Sequence, residues 1–421
     1  MKKTIISLAM AFAVNVNAQV VTTLCGSTTA GSGDGTGAAA SFNYPTGVTC
    51  DGNGNLYVTD KLNNEIRKVV ISTGAVTTLC GSTTTGHADG TGAAASFSNP
   101  SGIAYDGNGN LYVSSNNAIR KIVISTGAVT TLCGIYSSIG NADGTGAAAS
   151  FNGPGGIACD EIGNLYVADQ LNNEIRKVVI SSGAVTTLCG STASGSADGT
   201  GAAASFDFPR EIAYDGNGIL YVTDGNNDEI RKVVISSGAV TTLCSSSTGF
   251  DRPAGIVFDG NGNLYVANSL YNKINKVVVS SGAVITLCGA NWQGSADGTG
   301  TAASFHAPYG LTFDGIGDLY VADSYNHEIR KITIMTTGIE ALRDNNEHLS
   351  VYPNPSNGKF TISSKESDYM LILTNAVGKH VYQSEIKNEK LEIDLSKQPN
   401  GIYFAIFYNE NGVRKEKIII Q

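Results

Sequence analysis

Residues 45–60, PTGVTCDGNGNLYVTD, decide the fold of this chain, because the chain repeats them. Close copies begin at five later prolines, namely Pro100, Pro154, Pro209, Pro253 and Pro308. The intervals between successive prolines are 55, 54, 55, 44 and 55 residues. A nearly constant period of this length is the signature of a repeat array, so the sequence predicts six similar units.

Each unit is predicted to be an antiparallel meander of four strands. In the first unit the strands are expected at residues 48–50, 56–58, 65–71 and 75–80. Asp51-Gly52-Asn53-Gly54-Asn55 separates the first two strands and tolerates the positive φ angles of a tight hairpin turn. Several strands are apolar at consecutive positions, which indicates a sheet covered on both faces. Covered sheets repeated at this period are typical of propeller blades.

The phrases PxG(I/V)xxDGNGNLYVxD, NNEIRK and VTTLCGS followed by ADGTGAAASF resemble the NHL repeat of six-bladed β-propellers. The resemblance covers roughly residues 20–338 and implies an all-β fold. Strands of the VTTLC type begin at Val20, Ala75, Ala128, Ala184, Ala239 and Ala283. The first of them precedes the first unit and the last unit has none after it. The N-terminal strand, residues 20–25, is therefore predicted to complete the sixth blade and close the ring.

Five of the six junctions between units carry DGTGAAASF or a near copy, at residues 34–42, 89–97, 143–151, 198–206 and 297–305. The fifth unit follows the shorter SSSTGFDRPAG. We expect AAASF to form a helical turn whose Phe fills the seam between blades. The alternative is that Asp-Gly-Thr-Gly binds phosphate or metal. DGNGN also resembles the start of a calcium loop, but its twelfth position is Leu62 instead of Glu, which favours a turn capped by its own Asp.

Eight cysteines stand in the sequence, and six of them end the outermost strand of successive units. Neighbouring copies of such a strand should lie about 20 Å apart, since strands are spaced by about 4.8 Å. A disulfide needs Cα atoms within about 7 Å. All eight are therefore predicted to be free thiols packed as small apolar residues.

Residues 1–18 carry Lys2 and Lys3 before an apolar run and a small-residue cleavage site, which is typical of a secretory signal peptide. No other apolar stretch approaches 18 residues, so no transmembrane segment is expected. The net charge of −9 argues against nucleic acid as a partner. The predicted division is a signal peptide at 1–18, a propeller at 19–338, a linker at 339–348 and a second domain at 349–421.

Residues 349–421 resemble the C-terminal sorting domain of type IX secretion (the Por system) in Bacteroidota. The motifs that carry the resemblance are Pro353-Asn354-Pro355, Gly378-Lys379, Pro399-Asn400-Gly401-Ile402-Tyr403 and Lys417-Ile418. The resemblance implies a small seven-stranded Ig-like sandwich and the type IX secretion machinery as a partner. It also implies export across the outer membrane, followed by release or attachment to the cell surface.

Binding is favoured over catalysis as the function of the propeller. GxSxG, HExxH and CxxC are absent from the sequence, and the five histidines are scattered. Six-bladed relatives with hydrolase or lyase activity hold a metal in the central channel. Among the residues that follow each repeat proline, only Glu211 is a carboxylate, which is a poor set for a hard cation. We therefore expect no cofactor, and a metal-dependent hydrolase or lyase stays the alternative.

Recognition is predicted on the face that carries the junction loops, because the opposite face is nearly identical in every unit. The candidate binding residues are Arg210, Glu211, Arg252, Tyr271, Trp292, His306, Tyr309, Tyr325 and His327. Flat aromatic side chains with polar neighbours suit a glycan, a peptide or a protein ligand. The alternatives are neutral variation on an exposed face, a purely structural surface protein, and a seam-filling role for Tyr271 and Tyr309.

Overall fold

A computed structural model describes residues 19–160, 162–315, 317–334, 349–364, 369–375, 380–386, 390–409 and 412–421 of the chain. The chain divides into two compact units, Met1–Met335 and Thr336–Gln421. The fold is all-β. The predicted signal peptide at 1–18 and linker at 339–348 lie outside the described residues. In the part of the chain that the structure describes, no helix has the length and apolar character needed to cross a membrane.

The first unit contains six antiparallel sheets, which we number 1 to 6 in the order of their repeat prolines. In each sheet the strands pair with one another in the order named, and the last strand is the outermost. Sheet 1 consists of Pro45–Cys50, Asn55–Asp60, Glu65–Val70, Ala75–Gly81 and Gly35–Thr36. Sheet 2 consists of Pro100–Tyr105, Asn110–Ser115, Ala118–Val123, Ala128–Gly134 and Gly90–Thr91. Sheet 3 consists of Pro154–Cys159, Asn164–Asp169, Glu174–Val179, Ala184–Gly190 and Gly144–Thr145.

The other three sheets follow the same plan with two departures. Sheet 4 consists of Pro209–Tyr214, Ile219–Asp224, Glu229–Val234, Ala239–Cys244 and Gly199–Thr200. Sheet 5 has four strands, Pro253–Phe258, Asn263–Asn268, Lys273–Val278 and Ala283–Cys288. Sheet 6 consists of Pro308–Phe313, Asp318–Asp323, Glu328–Thr333, the N-terminal strand Val20–Gly26 and Gly298–Thr299. Val20–Gly26 pairs antiparallel with Glu328–Thr333, from the far end of the unit.

The four predicted strands are present in every sheet, but five of the six sheets have one strand more. In those sheets the Gly-Thr of the junction adds a fifth, two-residue strand, as where Gly35 and Thr36 pair with Val76 and Ala75. The junction can pair there because its backbone passes the free edge of the VTTLC strand. Sheet 5 lacks this strand because its junction is shorter.

Short 3-10 helices are the only helical elements of the described residues. Five lie in the junctions at Gly37–Ala39, Gly92–Ala94, Gly146–Ala148, Gly201–Ala203 and Gly300–Ala302, and a sixth, Ser246–Thr248, lies in the short junction. Three more follow second strands, at Lys61–Asn63, Gln170–Asn172 and Ser324–Asn326. The junction Phe is fully buried: Phe42 packs among Val48 and Val58 of sheet 1 and Tyr320 and Ile329 of sheet 6. The predicted seam-filling Phe is therefore observed, whereas the helical turn expected over AAASF is shifted to Gly37–Ala39 and ends before the Ser and the Phe.

One arginine in the third strand holds each long junction in place. Arg67 is fully buried and donates hydrogen bonds to Asp60 and to Asp34 of the junction, both at 2.8 Å, and to the carbonyl oxygens of Gly33 and Ser41. Its guanidinium also lies 5.3 Å from the ring centroid of Phe42. Arg120, Arg176, Arg231 and Arg330 bind their own junctions in the same way.

Neighbouring sheets are joined by one repeated hydrogen bond from the residue before the repeat proline to a side chain of the preceding sheet. The N–H groups of Asn99, Gly153, Phe208, Arg252, Ala307 and Tyr44 donate respectively to Asn64, Asn117, Asn173, Asp228, Asn272 and His327. The last of these bonds joins sheet 6 to sheet 1. The first strands also lie against one another in the same circular order.

The first strands approach closely because a glycine stands third in five of them. A Cβ on Gly47 would collide with the carbonyl oxygen of Ser101 in sheet 2, and one on Gly310 with the carbonyl oxygen of Thr46 in sheet 1. Sheet 4 departs from this rule, since its third residue is Glu211. A carboxylate therefore occupies a position where the other sheets have only backbone.

The turns and the thiols follow the predictions. Asp51 accepts hydrogen bonds from the N–H groups of Asn53 and Asn55 at 2.8 and 3.0 Å, so it caps its own hairpin turn. None of the eight cysteines, all of which lie in the described residues, forms a disulfide. Burial raises the pKa of the Cys25 thiol to about 12, so this group stays protonated at neutral pH.

The described residues of the second unit form seven strands in two sheets. Leu349–Tyr352, Lys359–Ser364 and Lys390–Asp394 form one sheet. His380–Ile386, Tyr369–Asn375, Gly401–Asn409 and Gly412–Ile420 form the other. Its core contains Phe360, Ile362, Leu371, Phe407 and Ile418. Seven strands in two sheets match the sandwich implied by the sequence.

Candidate functional site

Four of the predicted site residues gather at the seam between sheets 6 and 1. His306 and Tyr325 stack with ring centroids 4.8 Å apart, and Tyr325 meets Tyr44 edge to face at 4.9 Å. Tyr309 lies close enough to Tyr44 to influence its ionisation. We call Tyr44, His306, Tyr309, Tyr325 and His327 the seam cluster. Tyr325 is 52% exposed, so the cluster presents an aromatic surface to solvent.

The ionisation of the seam cluster follows from burial and from its own contacts. Burial, reinforced by the hydroxyls of Tyr325 and Tyr309, raises the pKa of Tyr44. Burial lowers the pKa of His306, and burial together with the nearby His306 lowers that of His327. The N–H of Tyr44 donates to Nδ1 of His327 at 3.0 Å, so His327 is neutral with its proton on Nε2.

Part of this arrangement serves the fold. His327 adopts a positive φ of 57° and accepts the seam bond that Asn64, Asn173 and Asn272 accept elsewhere. The N–H of His306 donates to Asp323 at 2.8 Å, as that of Asn43 does to Asp60. The backbone positions therefore belong to the repeat, whereas the aromatic and imidazole rings are peculiar to this seam.

Two cations lie near each other, and one of them, Arg210, lies near the seam cluster. Arg210 comes from the first strand of sheet 4, and Lys61 from the 3-10 helix after the second strand of sheet 1. Burial and the charge of Arg210 lower the pKa of Lys61, and the same guanidinium acts on Tyr44. Arg210 lies 5.4 Å from the ring centroid of Phe208, and its Nε has no hydrogen-bond partner. Among the described residues, neither cation forms a salt bridge.

Glu211 lies deeper, among the first strands. Its carboxylate interacts with the N–H groups of Ile212 and Ile157, and a Cβ on Gly156 would collide with it. Some solvent reaches the side chain, but protein surrounds it, and no cation of the described residues pairs with it. Burial therefore raises the pKa of Glu211 to about 8, in spite of the two N–H donors. The carboxyl group therefore keeps its proton to a higher pH than an exposed glutamate does.

Three predicted residues lie apart from the seam cluster. Tyr271 and Trp292 belong to loops of sheet 5 and are 46% and 68% exposed, and neither contacts another aromatic ring of the described residues. Arg252 is exposed, and its N–H makes the seam bond to Asp228 at 2.7 Å. The predicted single surface is therefore divided between two places, the seam cluster and sheet 5. Neither Tyr271 nor Tyr309 is fully buried in a seam.

Sequence reasoning missed Lys61, which lies in a turn shared by several repeats, and left Tyr44 out of the site. It also missed the polar residues of sheet 5. The signal for these was the change from EIRK to Lys273-Ile274-Asn275-Lys276 in the repeat that also has the short junction. Across the described ranges, no three His, Cys, Asp or Glu side chains come together as a group that could hold a metal ion.

Residues 350–421 match the family described as the secretion system C-terminal sorting domain, Por_Secre_tail. The repeat region is similar to the protein SUPPRESSOR OF QUENCHING 1 of Arabidopsis thaliana, with 32% identity over 34% of this chain and 14% of that protein. It is also similar to NHL repeat-containing protein 2 of Bos taurus, with 31% identity over 35% of this chain and 22% of that protein. These matches thus span less than a quarter of each relative.

Two solved structures from Bacteroides thetaiotaomicron share the fold. One is a structural genomics protein of unknown function, with a TM-score of 0.57 and 22% identity, matched over 75% of this chain and 76% of that chain. The other is an auxiliary nutrient binding protein, with a TM-score of 0.57, 14% identity and the same coverage of both chains.

The sorting domain indicates secretion through the type IX system to the cell surface or the extracellular space. The chain therefore combines a propeller-like repeat unit, related to NHL repeat-containing proteins, with a C-terminal domain that belongs to the sorting-domain family of that secretion system.

Proposed function

We propose that the six sheets form a closed six-bladed β-propeller, with Val20–Gly26 as the closing strand, and that this propeller is an extracellular binding module. The proposed domain limits are 19–338 for the propeller and 349–421 for the sorting domain, with a signal peptide at 1–18. Support for closure comes from the seam bonds, since the bond from Tyr44 to His327 repeats the geometry of the other five. The type IX secretion machinery would act on the sorting domain.

The observation that carries the binding proposal is the seam cluster beside two cations without a carboxylate partner. The exposed face of Tyr325 can stack on a sugar ring or an apolar side chain. Arg210 and Lys61 repel each other, so an anionic group placed between them would relieve that repulsion. The ligand proposed is a glycan, peptide or protein that presents an acidic group next to an apolar or ring-shaped face. One solved structure of the same fold is described as an auxiliary nutrient binding protein.

The repeat supplies variants that keep the fold. Leu62, Leu171 and Leu270 stand where sheet 6 has Tyr325, and all are similarly exposed. Tyr325→Leu therefore removes the aromatic face with little effect on packing. His327→Asn keeps an acceptor for the seam bond, because asparagine fills this role at other seams.

Binding of the mature chain to glycan and peptide arrays, followed by calorimetric titration of the strongest acidic ligand, tests the proposal. We expect Tyr325→Leu to weaken binding by about 1–3 kcal/mol. Arg210→Gln should weaken it too and reduce its salt dependence. Tyr352→Leu, at an exposed tyrosine of the second unit, is the matched control and should change nothing. Arrays with no ligand, or a ligand indifferent to both Tyr325→Leu and Arg210→Gln, would refute this assignment.

A further inference from the structure

Sheet 5 contains a cavity at the place where every other sheet of the first unit has a buried arginine. The cavity has a volume of about 380 Å³ and is lined by Gly249, Asn268, Tyr271, Lys273, Asn275, Thr286 and Asn291. Asn275 pairs with Thr286 across the two outer strands. In sheet 1 the same pair is Arg67 and Thr78, and both side chains bind Asp34 of the junction.

All the charged members of the arginine network are replaced in this sheet, whereas its threonine is kept as Thr286. Asn275 occupies the position of the arginine. Asn268 occupies that of its buried aspartate partner, and Lys273 that of the neighbouring glutamate. The short junction brings neither the Asp that would bind Thr286 nor the fifth strand that would cover the outer strand. The space that a guanidinium and a long junction fill in the other sheets is therefore open in sheet 5.

Asn275 points to a ligand in this space. The residue is 5% exposed and lines the cavity, and its Oδ1 has no hydrogen-bond partner in the part of the chain that the structure describes. A buried acceptor without a donor costs about 1–3 kcal/mol. Asn268 differs, because its Oδ1 accepts from Asp251 N–H and its Nδ2 donates to the Gly249 carbonyl oxygen at 2.9 Å each. The side-chain acceptor left without a donor is thus Asn275 Oδ1, a buried atom of a residue that lines the cavity.

We propose that this cavity binds one residue of a sugar. Asn275 Oδ1 needs a donor, whereas the Lys273 ammonium needs an acceptor, and a sugar hydroxyl group is both. An anion without a proton would leave Asn275 unpaired. Tyr271 adds a half-exposed aromatic ring to the lining. The volume is at the lower end of the usual range for small-molecule pockets, about 300–1,000 Å³, so it suits a single sugar residue better than a longer chain.

The chain contains a built-in reporter for this site. Trp292 is the only tryptophan, it is 68% exposed, and it follows the lining residue Asn291 directly. Consecutive Cα atoms are about 3.8 Å apart, so the backbone of Trp292 lies next to the lining of the cavity. A ligand held by Asn291 and Asn275 should therefore change the emission of Trp292.

The test is a fluorescence titration of the mature chain with the methyl glycosides of glucose, galactose, mannose and N-acetylglucosamine. We expect at least one to saturate with a dissociation constant of about 1 mM or lower. Asn275→Leu, which is close in volume but cannot hydrogen-bond, should weaken that binding about tenfold or more and leave the melting temperature unchanged or higher. Thr286→Val is the second variant and should also weaken binding. Thr78→Val, at the same position in sheet 1, is the matched control.

The outcomes separate this site from the seam cluster. Binding that survives Tyr325→Leu and is lost in Asn275→Leu or Thr286→Val supports the proposal, whatever the seam cluster does. Binding lost in Tyr325→Leu but kept in both sheet 5 variants would overturn it. So would the absence of any saturable change with all four glycosides, which would leave only water in the cavity.

Discussion

Replacing Glu211 by glutamine should make the first unit more stable at high pH and leave its stability at low pH unchanged. Burial raises the pKa of this carboxyl from 4.5 to about 8. In the folded chain it therefore holds its proton between those values, while in the unfolded chain it has lost it. Because the folded state binds more protons there, the free energy of unfolding falls as pH rises through this window and levels off above about pH 8.

The size of the effect follows from the width of the window. Each pH unit in which the proton is bound only by the folded chain is worth about 1.36 kcal/mol, which gives about 5 kcal/mol for the whole window. Partial access of water to the side chain reduces this, and we expect roughly 3 kcal/mol. Glutamine cannot ionise, so Glu211→Gln should exceed the native chain by that amount at about pH 9 and match it near pH 4.5.

Urea unfolding of both chains, followed by circular dichroism across this pH range, measures the difference directly. Glu392→Gln, at an exposed carboxyl group of the second unit, is the matched control and should show no comparable trend. An offset between Glu211→Gln and the native chain that is the same at every pH would contradict the reasoning. A glutamine variant that is less stable at high pH would refute it outright.

Three further predictions concern the framework. Asp169→Ala removes the fully buried partner of Arg176 at 2.9 Å but keeps Asp143 at 2.8 Å, so it should cost about 3 kcal/mol in thermal or urea unfolding, the lower end for a broken buried ion pair; Asn268→Ala, at the same position of sheet 5, should cost only about 1–2 kcal/mol. Thiol titration of the denatured, unreduced chain should find eight free cysteines, and protection of two or more until reduction would contradict the structure. Deleting residues 20–25 should lower the melting temperature of the first unit far more than deleting 349–421, because it removes a strand from sheet 6; equal melting temperatures would rule out a closing role for that strand.

The sequence by itself determined the local structure of this protein. The repeat prolines and the DGNGN turns placed the strands of each unit, because tight hairpins depend on residues that tolerate positive φ. The cysteines were predicted to be unpaired because copies on neighbouring units stand too far apart. The sorting domain was recognised from short motifs in fixed order, and its seven strands agree with that reading.

Only the tertiary structure decided which side chains meet. Tyr44 lies beside Tyr325 and His327 because the two ends of the repeat region share a seam, and no local pattern links positions so far apart in the chain. The junction Asp was recognised as a bend, yet its role as the partner of a buried arginine depends on packing across the sheet. The cavity of sheet 5 required the same information. The arginine, its buried aspartate partner and the long junction are all absent from that sheet, and only the structure shows that the three would have filled one space.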